Sequence, residues 1–92
     1  LTDTEAQREV VIVPSAGLHA RPVAEIVELM KGFSASVKVE ACGKSADARS
    51  QIGLLTLGAT CGTTAKITGA GEDAAEAVEA IAAVLSTEED GA

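Results

Sequence analysis

Four β-branched residues, Val10, Val11, Ile12 and Val13, stand in a row between a polar opening and Pro14, and they predict a first strand over Arg8–Val13. Proline cannot donate to a sheet ladder, so the strand stops there and residues 14–18 read as a loop. From Ala20 to Lys31 the period lengthens. Val23, Ile26, Val27 and Met30 recur at helical spacing, Glu25, Glu28 and Lys31 occupy the other side, and Gly32 is the expected C-terminal cap. Alternation returns where Ala35, Val37 and Val39 are set between Ser36, Lys38 and Glu40, the period of a half-buried strand. A turn at Cys42-Gly43 leads into a short third strand over Lys44–Ala48. Ser50 then opens a short helix carrying Ile52, Leu54, Leu55 and Leu57, closed by Gly58. Beyond a loop around Gly62, Thr64–Gly69 reads as a fourth strand with Ala65 and Ile67 facing one way. Asp73 or Glu72 leads into a last helix whose buried stripe is Ala74, Val78, Ile81 and Leu85.

The order βαββαβα, without an internal repeat or interdomain linker, predicts an α+β fold: a four-stranded antiparallel sheet with three helices on one face. The 92 residues make a single domain, 1–92, near the lower end of sizes that fold without disulfides or metal. Its polar ends, residues 1–7 and 87–92, are expected to fray, with Ser86–Ala92 as a solvated tail. Leu1 in place of an initiator methionine reads as a trimmed start. Composition adds one constraint on the core. Apolar residues are plentiful at 47 %, but they are mostly Ala, Val, Ile and Leu with Phe33 the sole aromatic, so short elements must pack closely.

Charge narrows the partners. Fourteen carboxylates face seven basic residues, and Glu72, Asp73, Glu76, Glu79, Glu88, Glu89 and Asp90 crowd the last quarter. A nucleic-acid binder needs a basic stripe to neutralise phosphates, so nucleic acid is not an expected partner. The negative excess serves solubility or complementarity to basic protein surfaces. Cys42 and Cys61 lack a CxxC spacing and read as free thiols of a reducing compartment, Cys42 exposed at its turn and Cys61 buried as filler. With no signal peptide and no apolar run of membrane-spanning length, a cytoplasmic protein without membrane insertion is expected.

The chemistry concentrates in Gly17-Leu18-His19-Ala20-Arg21-Pro22, which holds the chain's one histidine at a predicted helix start. A neutral imidazole can attack phosphorus, and a helix start offers unpaired N–H groups to an anion. Arg21 supplies a planar donor fork for phosphate oxygens. The N–H groups of Ala20 and Arg21, with the positive end of the helix dipole, can stabilise a phosphoryl group by about 1–2 kcal/mol in total. Gly17 lets the backbone approach the histidine without a Cβ and is expected, with Ala20 and Arg21, among the phosphate-binding residues, and Pro22 lacks an N–H that a first-turn residue would not use. A lone histidine would by itself be an ordinary surface residue. Its setting points instead to a phosphohistidine.

The GLHARP stretch at 17–22, the KSADARSQIGLLTLGA stretch at 44–59 and the element order together resemble the HPr family of phosphocarrier proteins of the phosphoenolpyruvate-dependent phosphotransferase system. The similarity runs through roughly Glu9 to Leu85. Val27-Glu28-Leu29-Met30-Lys31-Gly32-Phe33 also looks like the nitrogen-branch paralogue, NPr, and these motifs leave the carbohydrate and nitrogen branches open. The resemblance implies an open-faced β-sandwich. It implies that His19 accepts a phosphoryl group on Nδ1 from enzyme I and passes it to an enzyme IIA-type acceptor, in sugar uptake or nitrogen-linked regulation. It also implies Ser50 as a site for an ATP-dependent HPr kinase/phosphorylase, and Gln51, Ile52 and Leu55 as a partner-docking surface. One or two of Ile52, Leu54 and Leu55 should be exposed and the remainder buried. The sequence departs from the family at Gln51, where many kinase-regulated members have an apolar residue, and at Ala16, where several have an Asn or Ser that holds the imidazole.

No second catalytic group pairs with His19, so the chain is expected to be a monomeric co-substrate of other enzymes, without independent turnover. An alternative is a regulatory module whose binding depends on phosphorylation of His19 or Ser50, with no onward transfer. A small metal- or amino-acid-binding domain is a weaker possibility, because one histidine and two distant cysteines offer no zinc spacing; neither metal nor cofactor is expected.

Overall fold

The computed structural model describes residues 5–14 and 17–87. Four strands, β1 (Glu5–Val11), β2 (Ser36–Ala41), β3 (Lys44–Asp47) and β4 (Thr64–Ala70), form one antiparallel sheet in the order β1-β4-β2-β3. Three helices, α1 (Ala20–Met30), α2 (Gln51–Leu55) and α3 (Ala74–Leu85), complete the expected βαββαβα order.

Alternation along the strands sorts residues between the two faces of the sheet. Val39 lies opposite Ile67 on β4 and Ala46 on β3, and all three are buried with Val10, Val37 and Ala65 against the helices. The other face is polar, with Lys66 opposite both Glu9 and Glu40. From the helical side come Val23, Ile26 and Met30 of α1, Leu54 of α2, and Val78, Ile81 and Leu85 of α3, each at most 1 % exposed. Fully burying such a side chain contributes about 1.5–3 kcal/mol, so a core of few large residues suffices only because the small ones close the gaps.

The Cys42-Gly43 hairpin turn forms as expected, with both residues at positive φ (57° and 76°), the conformation a two-residue connection needs to match strand twist. Several boundaries move. β1 begins at Glu5, three residues before the expected Arg8, because Glu5, Ala6 and Gln7 pair with Ala70, Gly69 and Thr68; residues 5–7 are therefore ladder-bound. Residues 1–4 and 88–92 lie outside the described residues. The strand also stops at Val11, although Ile12 still donates its N–H to Thr63 O at 2.9 Å. β3 ends at Asp47, and the buried Ala48 that follows donates to Val37 O at 2.9 Å.

Helix α1 is capped by Lys31 in right-handed geometry, not by Gly32. Its last turn tightens through Lys31 N–H to Glu28 O, Gly32 N–H to Leu29 O and Phe33 N–H to Met30 O, and no left-handed residue is required. Helix α2 likewise ends before Gly58, at a Thr56 cap whose Oγ1 donates to Gly53 O at 2.9 Å; Gly58, at φ 67°, turns the chain afterwards. Cys42 and Cys61 are both free and both exposed, which corrects the expectation of a buried Cys61. Cys61 sits inside the turn closed by Thr63 N–H to Thr60 O, and its exposed Sγ donates to Val13 O at 3.4 Å. Among the described residues no helix is long and apolar enough to cross a membrane.

Candidate functional site

His19 is the N-cap of α1. Its backbone is extended (φ −112°, ψ −168°), and its carbonyl accepts the first helical bond, from Val23 N–H at 3.1 Å. An N-cap side chain turns toward the free N–H groups of the first turn. The imidazole of half-buried His19 does so through Nδ1, which lies 3.5 Å from the Arg21 nitrogen. That contact is long, and it favours the tautomer with its proton on Nε2 and its lone pair on Nδ1.

The loop before the helix is fixed from behind. Leu18 is buried, and its N–H donates to Ala59 O at 3.0 Å. Gly17 has φ 74°, and a Cβ there would stand 2.5 Å from Ala59 O and 2.7 Å from Thr60 Cα. Its part differs from the expected phosphate contact: the Gly17 N–H is spent on Pro14 O at 2.8 Å, so the residue shapes the loop and is not a free donor. Ser15 and Ala16, the latter expected to matter for imidazole orientation, lie outside the described residues.

The donors facing outward come from the first turn. Ala20 N–H has no partner among the described residues, Arg21 N–H has only the long contact to Nδ1, and Pro22 has no N–H. No acidic residue occupies the first turn of α1, so its positive end meets no carboxylate of its own helix. The exposed Arg21 side chain forms neither a hydrogen bond nor an ion pair among the described residues. A histidine lone pair, two backbone N–H groups and a guanidinium thus share one helix end. This arrangement can receive a group that is both electrophilic and anionic, as a phosphoryl is.

Helix α2 packs beside α1 and divides its apolar residues as expected. Leu54 is fully buried, whereas Ile52 is 75 % and Leu55 38 % exposed. Spaced three apart, the two exposed residues share one helical face, and Gln51 is exposed beside them. Ser50 is the N-cap of α2, its Oγ accepting from Gly53 N–H at 3.0 Å.

Two residues that act at the far end of α1 from His19 carry contacts with no signal in the local sequence. The Arg49 guanidinium donates to Met30 O (2.9 Å), Phe33 O (2.8 Å) and Ala35 O (3.1 Å), tying the start of α2 to the far end of α1. Asp73, expected only at the entrance of α3, makes no side-chain bond within its own helix and instead accepts from Ser34 and Ala35 N–H, both at 2.9 Å. The Ser34 N–H above all, with that of Ala35, holds its carboxyl below the ordinary aspartate range against an opposing desolvation. Local sequence carries no signal for contacts that reach so far along the chain.

Comparison with known proteins agrees with this geometry. The family model described as PTS HPr component phosphorylation site matches residues 6–87. Phosphocarrier protein HPr of Haemophilus influenzae is 44 % identical over 80 residues, which are 87 % of this chain and 94 % of that protein. A multiphosphoryl transfer protein of Xanthomonas campestris pv. campestris is 37 % identical over 86 residues, 94 % of this chain but 10 % of its own length. The crystal structure of a phosphocarrier protein HPr from Bacillus anthracis superposes with a TM-score of 0.84 at 36 % identity, covering 90 % of this chain and 99 % of that one. Sheet order, helix placement and a histidine-capped helix thus coincide with a family match along nearly the whole chain, and the chain belongs to the HPr phosphocarrier family of the phosphotransferase system.

Proposed function

We propose that His19 accepts a phosphoryl group on Nδ1 from enzyme I charged by phosphoenolpyruvate, and passes it to an enzyme IIA-type acceptor in the cytoplasm. The observation that carries this reading is the placement of Nδ1 against Arg21 N–H at the start of α1. The Nδ1 lone pair attacks phosphorus, and the bond from phosphorus to the donor's nucleophile breaks as the P–N bond forms. The long contact to Arg21 N–H is given up, and that N–H, with Ala20 N–H and the Arg21 guanidinium, then holds phosphoryl oxygens. Each such contribution at an exposed helix end is about 1 kcal/mol or less, enough to bias the product without trapping it. The same steps in reverse order deliver the group onward. Because an exposed site cannot exclude water, the partner's pocket supplies the rest of the transition-state stabilisation.

Ile52 and Leu55 form the apolar part of the surface that partners cover, and Gln51 adds a polar contact beside them. Support comes from their exposure on α2 beside α1. Ser50 adjoins that patch, and a phosphate placed on it by an ATP-dependent kinase would add about two negative charges there and weaken docking without unfolding α2. Whether the acceptor serves sugar uptake or nitrogen-linked regulation depends on the partner.

Incubation with phosphoenolpyruvate and enzyme I tests the reading. The expected result is an acid-labile phosphate on the wild type, none on His19→Ala, and loss of label when an enzyme IIA-type protein is added. Label that stays in place, combined with target binding that depends on it, would favour the regulatory module over the carrier.

A further inference from the structure

Helix α2 presents the docking residues, yet little holds it. It has five residues, far below the length at which a helix is stable alone, and Leu54 is its one buried side chain. The chain is held on both sides of it: before α2, buried Ala48 donates its N–H to Val37 O and Ser50 N–H donates to Asp47 O, both at 2.9 Å. After α2 the chain returns to Ala59, whose carbonyl accepts from Leu18 N–H next to His19. Before α2 stands Arg49. Its N–H donates to Asp47 Oδ1 at 2.8 Å, and its guanidinium spans the carbonyls of Met30 and Phe33 at the close of α1 and of Ala35 at the entrance to β2. The bonds at Ala48, Ser50 and Ala59 are backbone to backbone. Among the described residues, the Arg49 guanidinium is the hydrogen-bonded side-chain tie between the start of α2 and the end of α1.

We propose that Arg49 is a positioning residue for phosphoryl transfer. By fixing the start of α2 to the C-terminal end of α1, it sets the place of Ile52 and Leu55 relative to His19 at the opposite end of α1. Ile52 lies three residues from Arg49, so a pivot of α2 about its Ala59 end displaces the docking face while leaving His19, Arg21 and the N–H groups untouched. A guanidinium suits the task because its planar fork reaches several oxygens at once and complements the negative end of the α1 dipole, whereas an ammonium satisfies fewer of the three.

This inference rests on the transfer reading above, and the test separates the two. Initial rates of enzyme I-dependent charging are measured against carrier concentration for the wild type, Arg49→Met, Arg49→Lys and Asp73→Ala, at a temperature where circular dichroism shows all four folded. Arg49→Met is expected to raise KM roughly tenfold with kcat within about twofold, the signature of lost binding and not of lost chemistry. Arg49→Lys falls between. Asp73→Ala releases residues 34–35 from the other side without touching α2, and leaves KM at the wild-type value. An unchanged KM in Arg49→Met, or an equal rise in Asp73→Ala, overturns the positioning role while the carrier reading stands. A wild type that does not charge overturns both.

Discussion

Arg49 and Asp73 hold the same short segment by opposite ends of its peptide dipoles: the guanidinium donates to Phe33 O and Ala35 O at 2.8 and 3.1 Å, while the carboxylate accepts from Ser34 and Ala35 N–H, both at 2.9 Å. The segment joins α1 to β2, and the two residues come from the β3–α2 junction and the entrance of α3. The ends of α1, β2, β3, α2 and α3 therefore meet through backbone groups that would otherwise lack partners.

The Asp73 half of this clamp is pH-dependent. Its carboxyl titrates below the ordinary aspartate value in the folded chain, with Ser34 N–H the main cause. A depressed folded pKa gives stability that is complete above the unfolded pKa and lost as pH falls through the folded one. Asp73→Ala should lower the urea midpoint at pH 7, and the gap from the wild type should narrow in strongly acidic solution, below about pH 4. Paired urea titrations across pH check this.

Gly17 is set by space and backbone together. In Gly17→Ala the new Cβ meets Ala59 O at 2.5 Å in a left-handed conformation. A loss of about 2–4 kcal/mol is expected in urea denaturation, together with slower charging, because the loop that carries His19 must move.

Ser50 separates stability from docking. Ser50→Ala removes the bond to Gly53 N–H and should cost about 1 kcal/mol while leaving the charging KM unchanged. Ser50→Asp keeps an N-cap oxygen and adds charge beside Ile52, so its stability should stay within about 0.5 kcal/mol while KM rises. Thermal melts with charging kinetics read both.

Arg21 is exposed and unpaired among the described residues, so its replacement should change chemistry more than fold. Arg21→Met is expected to lower kcat for charging by about tenfold or more with stability within about 0.5 kcal/mol, and Arg21→Lys to recover part of the loss.

Periodicity made most of this fold legible. The change from β-branched run to helical spacing at Val23, Ile26 and Met30, the alternation through Val37 and Val39, and the Cys42-Gly43 turn each report a local preference that tertiary packing reinforces. The placement of His19 and Arg21 at the start of α1 and the exposure of Ile52 and Leu55 were legible because a short motif and helical spacing carry them. What escaped were side chains that act far along the chain. Arg49 reads as one more basic residue until Met30, Phe33 and Ala35 are seen to converge on it, and Cys61 looks like core filler until its turn exposes it. Helix ends were misplaced where a tightened last turn did the work expected of Gly32.

The imidazole of His19 reports the phosphoryl-transfer chemistry most directly. With one histidine in the chain, long-range proton–nitrogen NMR of the uncharged and charged protein reports a single ring. The expected result is a proton on Nε2 before charging and phosphorus bonded to Nδ1 after it. Phosphorus on Nε2, or a ring unchanged while the protein carries phosphate, would contradict it.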